Sequence, residues 1–451
     1  MRTEINKEFI AELTGSLAEK NSKRTLELLH DLHPADMAEF FPKLDLEEQS
    51  NLISLLDNEV AADILLELEE DDRKKLLALL SPQEIASSLI IEMDTDDAVD
   101  VISELEETKQ DEVIAKLEDK EHAQDIVDLL RYKEDSAGGL MQKEFVKVNK
   151  NWNILHAVRA MRKQAEDLKE VYSIYVVDDD DTLLGILSLK KLLTTSSDTT
   201  LDEVYNHKVH FVKVYERDVD VANKIQKYDL MEIPVVDELN RLQGVITVDD
   251  IIDVLREEAD ENYQLAAGIT SNVDATDSIW TLTKARLPWL LIGMFGGLGA
   301  ASIIHGFEEA LEKYTALILF IPLIQSTAGN VGIQSSAIVV QGLANGSIQG
   351  KILARLFKEF LLGLLNGVGI ALIVLIISHF IFQTSYHVSL TIMIALVTVI
   401  VNAAVIGTFI PIFLHRRGID PAVSTGPFIT TGNDILGVFI YFMIAKMILG
   451  F

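Results

Sequence analysis

Apolar residues fall into three regimes along the 451-residue chain. From residue 20 to 135 they recur at helical spacing, as in Ile64 with Leu68, Leu76 with Leu80, and Val99 with Ile102 and Leu105. Polar punctuation such as His33-Pro34, Ser81-Pro82 and Asp94-Thr95-Asp96 separates these stretches. The pattern predicts a series of short amphipathic helices stacked as an α-solenoid. Between 136 and 260 short continuous apolar runs predict buried strands followed by helices. Beyond Ala285 come five long apolar runs, at about Leu287–Ile304, Tyr314–Val340, Phe360–Phe382, Val388–Leu414 and Pro427–Leu449. Each approaches or exceeds the roughly 20 residues that a membrane-crossing helix needs. Gly293 with Gly297, and Gly363 with Gly367, are GxxxG spacings that mark candidate helix contacts.

Charge sharpens this division. Residues 284–451 hold 9 Lys/Arg and 6 Asp/Glu, while residues 1–283 hold 30 and 64. The front is strongly acidic, which disfavours nucleic acid and attracts cations. The chain has no cysteine, so disulfides, thiol catalysis and thiolate metal sites are excluded. The first residues carry no apolar signal segment, so the front is expected to stay in the cytosol. Lys284 and Arg286, then Lys351, Arg355 and Lys358, then Arg416 and Arg417 occupy alternate loops, which fall on one and the same side of the five runs. Positive-inside counting places the acidic front in the cytosol and the C-terminus outside.

The fifth run holds Asp434, the one acid that this reading places inside an apolar run. A charge at mid-membrane costs roughly 2.5–3.5 kcal/mol on lenient scales and by default marks an ion path. Around it stand Gly426, Thr430, Thr431, Asn433 and Gly437, and the second run is interrupted by Asn330 and Gln334. Hard oxygen donors of this kind suit Mg²⁺, Ca²⁺ or Mn²⁺. These residues are the candidate pore lining.

The central region is duplicated. Ile174-Tyr175-Val176-Val177-Asp178 is echoed by Ile233-Pro234-Val235-Val236-Asp237, and Gly185-Ile186-Leu187-Ser188 by Gly244-Val245-Ile246-Thr247 at the same interval. Two such units resemble a tandem pair of cystathionine-β-synthase (CBS) domains. That family often ends its second strand G-x-x-[ST]-x-x-D with the acid on a ribose. Gly244, Thr247 and Asp250 match, whereas the first copy has Lys191 at the acid position. The resemblance implies a nucleotide contact at Thr247 and Asp250, with ATP as a candidate modulator.

The run Asp420-Pro421-Ala422 … Gly426-Pro427-Phe428-Ile429-Thr430-Thr431-Gly432-Asn433-Asp434 resembles the MgtE family of magnesium channels and transporters, and the likeness covers the whole chain. Where that family often has GGNxGxQ, the second run here reads Ala328-Gly329-Asn330-Val331-Gly332-Ile333-Gln334. The resemblance implies a homodimer whose paired Asp434 residues hold the permeating Mg²⁺. It also implies regulatory Mg²⁺ bound by Asp96, Asp97, Asp229, Asp249, Asp250, Asp253, Glu257, Glu258, Asp260 and Glu261.

The expectation is a multidomain membrane protein. It comprises an α-helical solenoid N-domain (1–135), an α/β tandem CBS pair (136–198 and 199–256), a connecting helix (257–283) and an all-α transmembrane domain of five helices (284–451). Its function is expected to be Mg²⁺ uptake across the cytoplasmic membrane, shut off by cytosolic Mg²⁺, with no enzymatic step. The alternatives are an exporter or coupled carrier of divalent cations, or a membrane-anchored ligand sensor.

Overall fold

In the computed structural model, residues 5–451 are described except 167, 271, 272, 276, 345, 346, 349, 350 and 425. Thr425, within the motif before the fifth run, therefore lies outside the described residues. The chain forms two compact units, residues 1–255 and 256–451.

The first unit begins with short helices running from Lys7–Ala18 to Lys120–Leu129. Punctuating residues start them: Asp45 and Ser81 each form a reciprocal capping box, with Glu48 and Glu84 respectively. The residues expected at helical spacing do line the core, with Ile64, Leu76 and Ile102 fully buried. Arg73 and Glu104 pair in a largely enclosed setting, where Arg73 Nε donates to Glu104 Oε1 at 2.9 Å.

Two three-stranded sheets follow. β1 (Val146–Asn149) lies parallel to β2 (Ile174–Val177), which pairs antiparallel with β3 (Leu183–Leu187). β4 (Val212–Lys213), β5 (Glu232–Val236) and β6 (Leu242–Thr247) repeat that order and sense. The repetition reaches fine detail. A register shift falls between Val176 and Val177 and again between Val235 and Val236, and the left-handed turn residues Asp181 and Asn240 correspond. The two hairpins bond reciprocally, Leu183 N to Asn240 O at 2.9 Å and Leu242 N to Asp181 O at 3.0 Å. The helix after β6 runs unbroken from Val248 to Ala267. The sequence put the connecting helix at 257–283, but no breaker separates it from the last CBS strand. It stops instead at Gly268, whose φ of +82° ends the helical path.

The second unit contains five helices long and apolar enough to cross a membrane: Ile279–His305, Thr315–Ala344, Ile352–Ile381, Tyr386–Arg416 and Pro427–Leu449. The fourth is the most enclosed and packs against the second, third and fifth. Ile392, Leu396 and Ile400 of the fourth meet Ile324 and Ala328 of the second and Val438 and Tyr441 of the fifth in one core. The Tyr441 hydroxyl, deep in that core, donates to Leu317 O at 3.0 Å.

The two glycine pairs behave differently. A Cβ on Gly363 would lie 3.1 Å from Val401 Cα, and one on Gly367 would lie 3.4 Å from Val397 Cα, so this pair seats the third span on the fourth. Gly293 and Gly297 face open space; the first span is seated through Gly296, where Thr431 of the fifth span packs. Gly363→Val should force the third and fourth spans apart. The expected cost is about 1–3 kcal/mol, read as a lower melting temperature of the purified chain, with Gly293→Val as the unaffected control.

Candidate functional site

In the membrane unit, Gly329 of the second span stands against the fifth, and a Cβ there would fall 3.5 Å from Asp434 Oδ1 and 3.0 Å from Thr430 Cγ2. Small size at this position lets the carboxylate lie alongside the second span. Asp434 is partly exposed and, among the described residues, has no ion-pair partner. On the second span Ser326, Asn330 and Gln334, spaced one helical turn apart, form an exposed polar stripe. A polar stripe and a half-exposed carboxylate on adjoining spans are incompatible with contact to lipid tails.

The remaining lining candidates are placed as follows. The Thr430 hydroxyl donates back to Gly426 O at 2.9 Å, and Thr431 turns toward the first span. Gly426, Asn433 and Gly437 are buried within the chain instead of on its exposed surface. Gly437 sits 3.3 Å, by its would-be Cβ, from both Ala328 Cβ and Val399 Cγ1. Gly426 has φ +58° and presses on the Ala266 carbonyl at the end of the Val248–Ala267 helix. Its companion Gly268 meets Pro427, where a Cβ would lie 2.5 Å from Cγ. Any side chain at either glycine would lever the helix end away from the start of the fifth span.

A second acid also lies inside a span. Glu359 is 4% exposed and belongs to the third helix, which starts at Ile352, not at Phe360 as the apolar run suggested. Lys351, Arg355 and Lys358 make the sequence there look like a loop. In fact Arg355 Nη2 pairs with Glu359 Oε1 at 3.2 Å, and Ser335 Oγ of the second span donates to Glu359 Oε2 at 3.4 Å. A missed signal was available: Glu359, Gly363 and Gly367 share one helical face.

In the first unit, the Thr95–Ser103 helix brings Asp96 and Asp97 opposite Asp250. Glu144 anchors the helix start, accepting from Thr95 Oγ1 at 2.7 Å. Asp250 accepts from Thr247 Oγ1 at 2.6 Å, so the two residues expected to contact nucleotide are bonded to each other. Burial, reinforced by the neighbouring acids, pushes the Asp97 carboxyl up to about 7. Burial lifts Asp250 to about 6 against the lowering hydrogen bond from Thr247, with Asp249 and Asp253 adding repulsion. Burial followed by repulsion from Asp250 and Asp97 lifts Asp96 well above the carboxylate range. Asp229, Asp249, Asp253, Asp260 and Glu261 are exposed, and Glu257 and Glu258 lie on the outgoing helix. Among the described residues no three carboxylate or imidazole groups converge into a closed metal cage.

The arrangement defines a multi-pass membrane protein with a polar stripe and an acid on adjoining spans and an acidic tandem-CBS front. Residues 321–444 match the MgtE family of divalent cation transporters, residues 32–135 the MgtE intracellular N domain, and residues 137–198 and 201–257 CBS domains. The chain is 38% identical to the magnesium transporter MgtE of Enterococcus faecalis, with 98% of both chains covered. It is 31% identical to the magnesium transporter MgtE of Thermus thermophilus, with 99% of both covered. The crystal structure of the cytosolic domain of the Mg²⁺ channel MgtE in complex with ATP is 32% identical, with TM-score 0.51, covering 54% of this chain and 99% of that one. The chain belongs to the MgtE family.

The raised carboxyls give a pH signature. The native state holds protons that the unfolded state releases, so stability falls as pH rises. The contribution is complete below the ordinary carboxylate value of 3.8 and is lost as pH climbs through about 7. Melting of the first unit in divalent-free buffer should therefore occur at higher temperature at pH 5 than at pH 8, and Asp250→Asn should flatten that dependence.

Proposed function

We propose that this chain is a Mg²⁺-selective channel for magnesium uptake, working as a homodimer in the cytoplasmic membrane with its N-terminus in the cytosol and its C-terminus outside. The observation that carries the reading is Asp434: an intramembrane carboxylate, partly exposed, with no basic partner among the described residues, beside the stripe Ser326–Asn330–Gln334. The relatives named as magnesium transporters give the cargo. Mg²⁺ releases its water reluctantly and is usually held by one or two carboxylates with several waters retained. One Asp434 from each subunit, backed by neutral side-chain oxygens, would hold the hydrated ion strongly enough to admit it and weakly enough to release it.

Shut-off is assigned to the acidic front, with residues 1–135, 136–198, 199–256 and 257–283 acting as N-domain, two CBS domains and connecting helix ahead of the 284–451 pore domain. Asp96, Asp97 and Asp250 face one another with mutual repulsion that protons relieve in part. Such donors fit a hydrated dication, which neutralises several carboxylates without a closed cage. Cytosolic Mg²⁺ would favour the compact arrangement; its loss would let the acids separate and shift the helix that starts at Val248. Differential binding to two states is what makes this allostery. Asp229, Asp249, Asp253, Glu257, Glu258, Asp260 and Glu261 complete the regulatory set in this reading.

ATP is the proposed modulator, because the solved cytosolic relative was obtained with it. An open recess of about 500 Å³ on the first CBS copy, lined by Tyr172, Ser188, Lys191 and Lys208 among others, offers an aromatic face and two cations for phosphate. Lys191, which breaks the acid motif, stands in that recess.

In liposomes, Asp434→Asn should abolish Mg²⁺ flux while the chain inserts normally; flux at the native level would sink the pore reading. Asp97→Asn with Asp250→Asn should leave flux intact at low internal Mg²⁺ and weaken its inhibition at high internal Mg²⁺. Flux that requires a co-ion gradient would favour a coupled carrier instead.

A further inference from the structure

Six buried side-chain nitrogen and oxygen atoms among the described residues lack a hydrogen-bond partner, and all lie in the membrane unit. Four of them belong to Asn433, Ser336 and Thr408. Asn433 stands at one helix crossing, and Ser336 and Thr408 lie on the two other helices that meet there. Asn433 of the fifth span packs its amide onto Gly332 of the second, and a Cβ on Gly407 of the fourth would fall 2.5 Å from Gly332 O. Ser336 lies one turn beyond Gly332, and Thr408 follows Gly407. Asn433 is 2% exposed, while Ser336 and Thr408 are fully buried. Polar groups in a membrane interior do not stay unpaired on three neighbouring helices without a partner.

The chemistry of the orphans selects that partner. Asn433 presents an unpaired donor, Nδ2, and an unpaired acceptor, Oδ1. A bare cation would satisfy the acceptor and repel the donor, whereas water serves both. Two hydroxyls, each able to donate and accept, supply the two to four bonds that a buried water requires. We infer that the crossing of the second, fourth and fifth spans holds ordered water bound by Asn433, Ser336 and Thr408, and that this water positions Asp434. Asn433 immediately precedes Asp434, so fixing its amide sets the direction in which the carboxylate points. Asn433 is thus a positioning residue, acting from behind the ion path.

The inference rests on Asp434 as the pore carboxylate, and the experiment separates the two. Thr408→Val keeps the side-chain shape and removes one hydroxyl; Asn433→Leu removes the amide at similar size. With water bound, both variants should melt a few degrees lower than the native chain. The Mg²⁺ concentration for half-maximal flux in liposomes should also rise several-fold. If the crossing is dry, removing an orphan polar group is neutral or stabilising, so an unchanged or higher melting temperature would overturn the inference. A lower melting temperature with unchanged half-saturation would overturn the positioning role. Flux that depends on sodium in the native chain, and no longer does in Thr408→Val, would assign the crossing to a monovalent cation and overturn it as well. Failure of the pore reading shows separately, as native flux in Asp434→Asn.

Discussion

The membrane unit is organised around the cost of placing charge where water is scarce. An unpaired carboxylate in hydrocarbon cannot persist, and the two acids inside the spans escape that cost in opposite ways. Glu359 is closed off, paired with Arg355 and bonded by Ser335. Asp434 is left without a basic partner and partly open, beside a glycine that makes room for it and a polar stripe that keeps lipid away. The first solution is structural and ties the third span to the second. The second leaves a carboxylate uncompensated, which the proposed function assigns to an ion arriving from solution.

The first unit, residues 1–255, meets the same problem with a different answer. Asp96, Asp97 and Asp250 are gathered from an N-domain helix and the second CBS copy, and burial holds their carboxyls toward the neutral form. Repulsion here is a reservoir that a cation can discharge. The interior of the membrane unit isolates one acid; the first unit concentrates several. In the proposed function both arrangements answer to divalent ions, one by passing them and the other by sensing their concentration.

Much of this was legible in the residues. Asp434 stood out because nothing around it is charged, and the CBS duplication was visible because matching segments recur at one interval. That interval holds even for the register shifts and for the turn residues Asp181 and Asn240. Glu359 escaped because three cations precede it and read as a cytosolic loop, although the helix already runs through them. Gly293 and Gly297 have the right spacing and the wrong face, since a single-sequence pattern does not say which side of a helix meets a neighbour. Asn433 sits next to Asp434 in sequence, but roughly 100° of helical rotation carries it behind the path. The helix from Val248 to Ala267 crosses an expected domain edge because continuity of helical propensity, not domain membership, decides where a helix stops.

The junction of Gly426 and Gly268 carries one further implication. Both residues adopt left-handed backbone angles, and each meets another segment through main chain or a proline ring. A linkage made this way transmits displacement by shape, and none of its described contacts involves a side chain that could be titrated or screened. Movement at the end of the Val248–Ala267 helix would then reach the head of the fifth span equally well across a wide range of ionic strength and acidity. In the proposed mechanism, sensitivity to the medium would rest with the acids upstream, and the contact at this junction would stay indifferent to it.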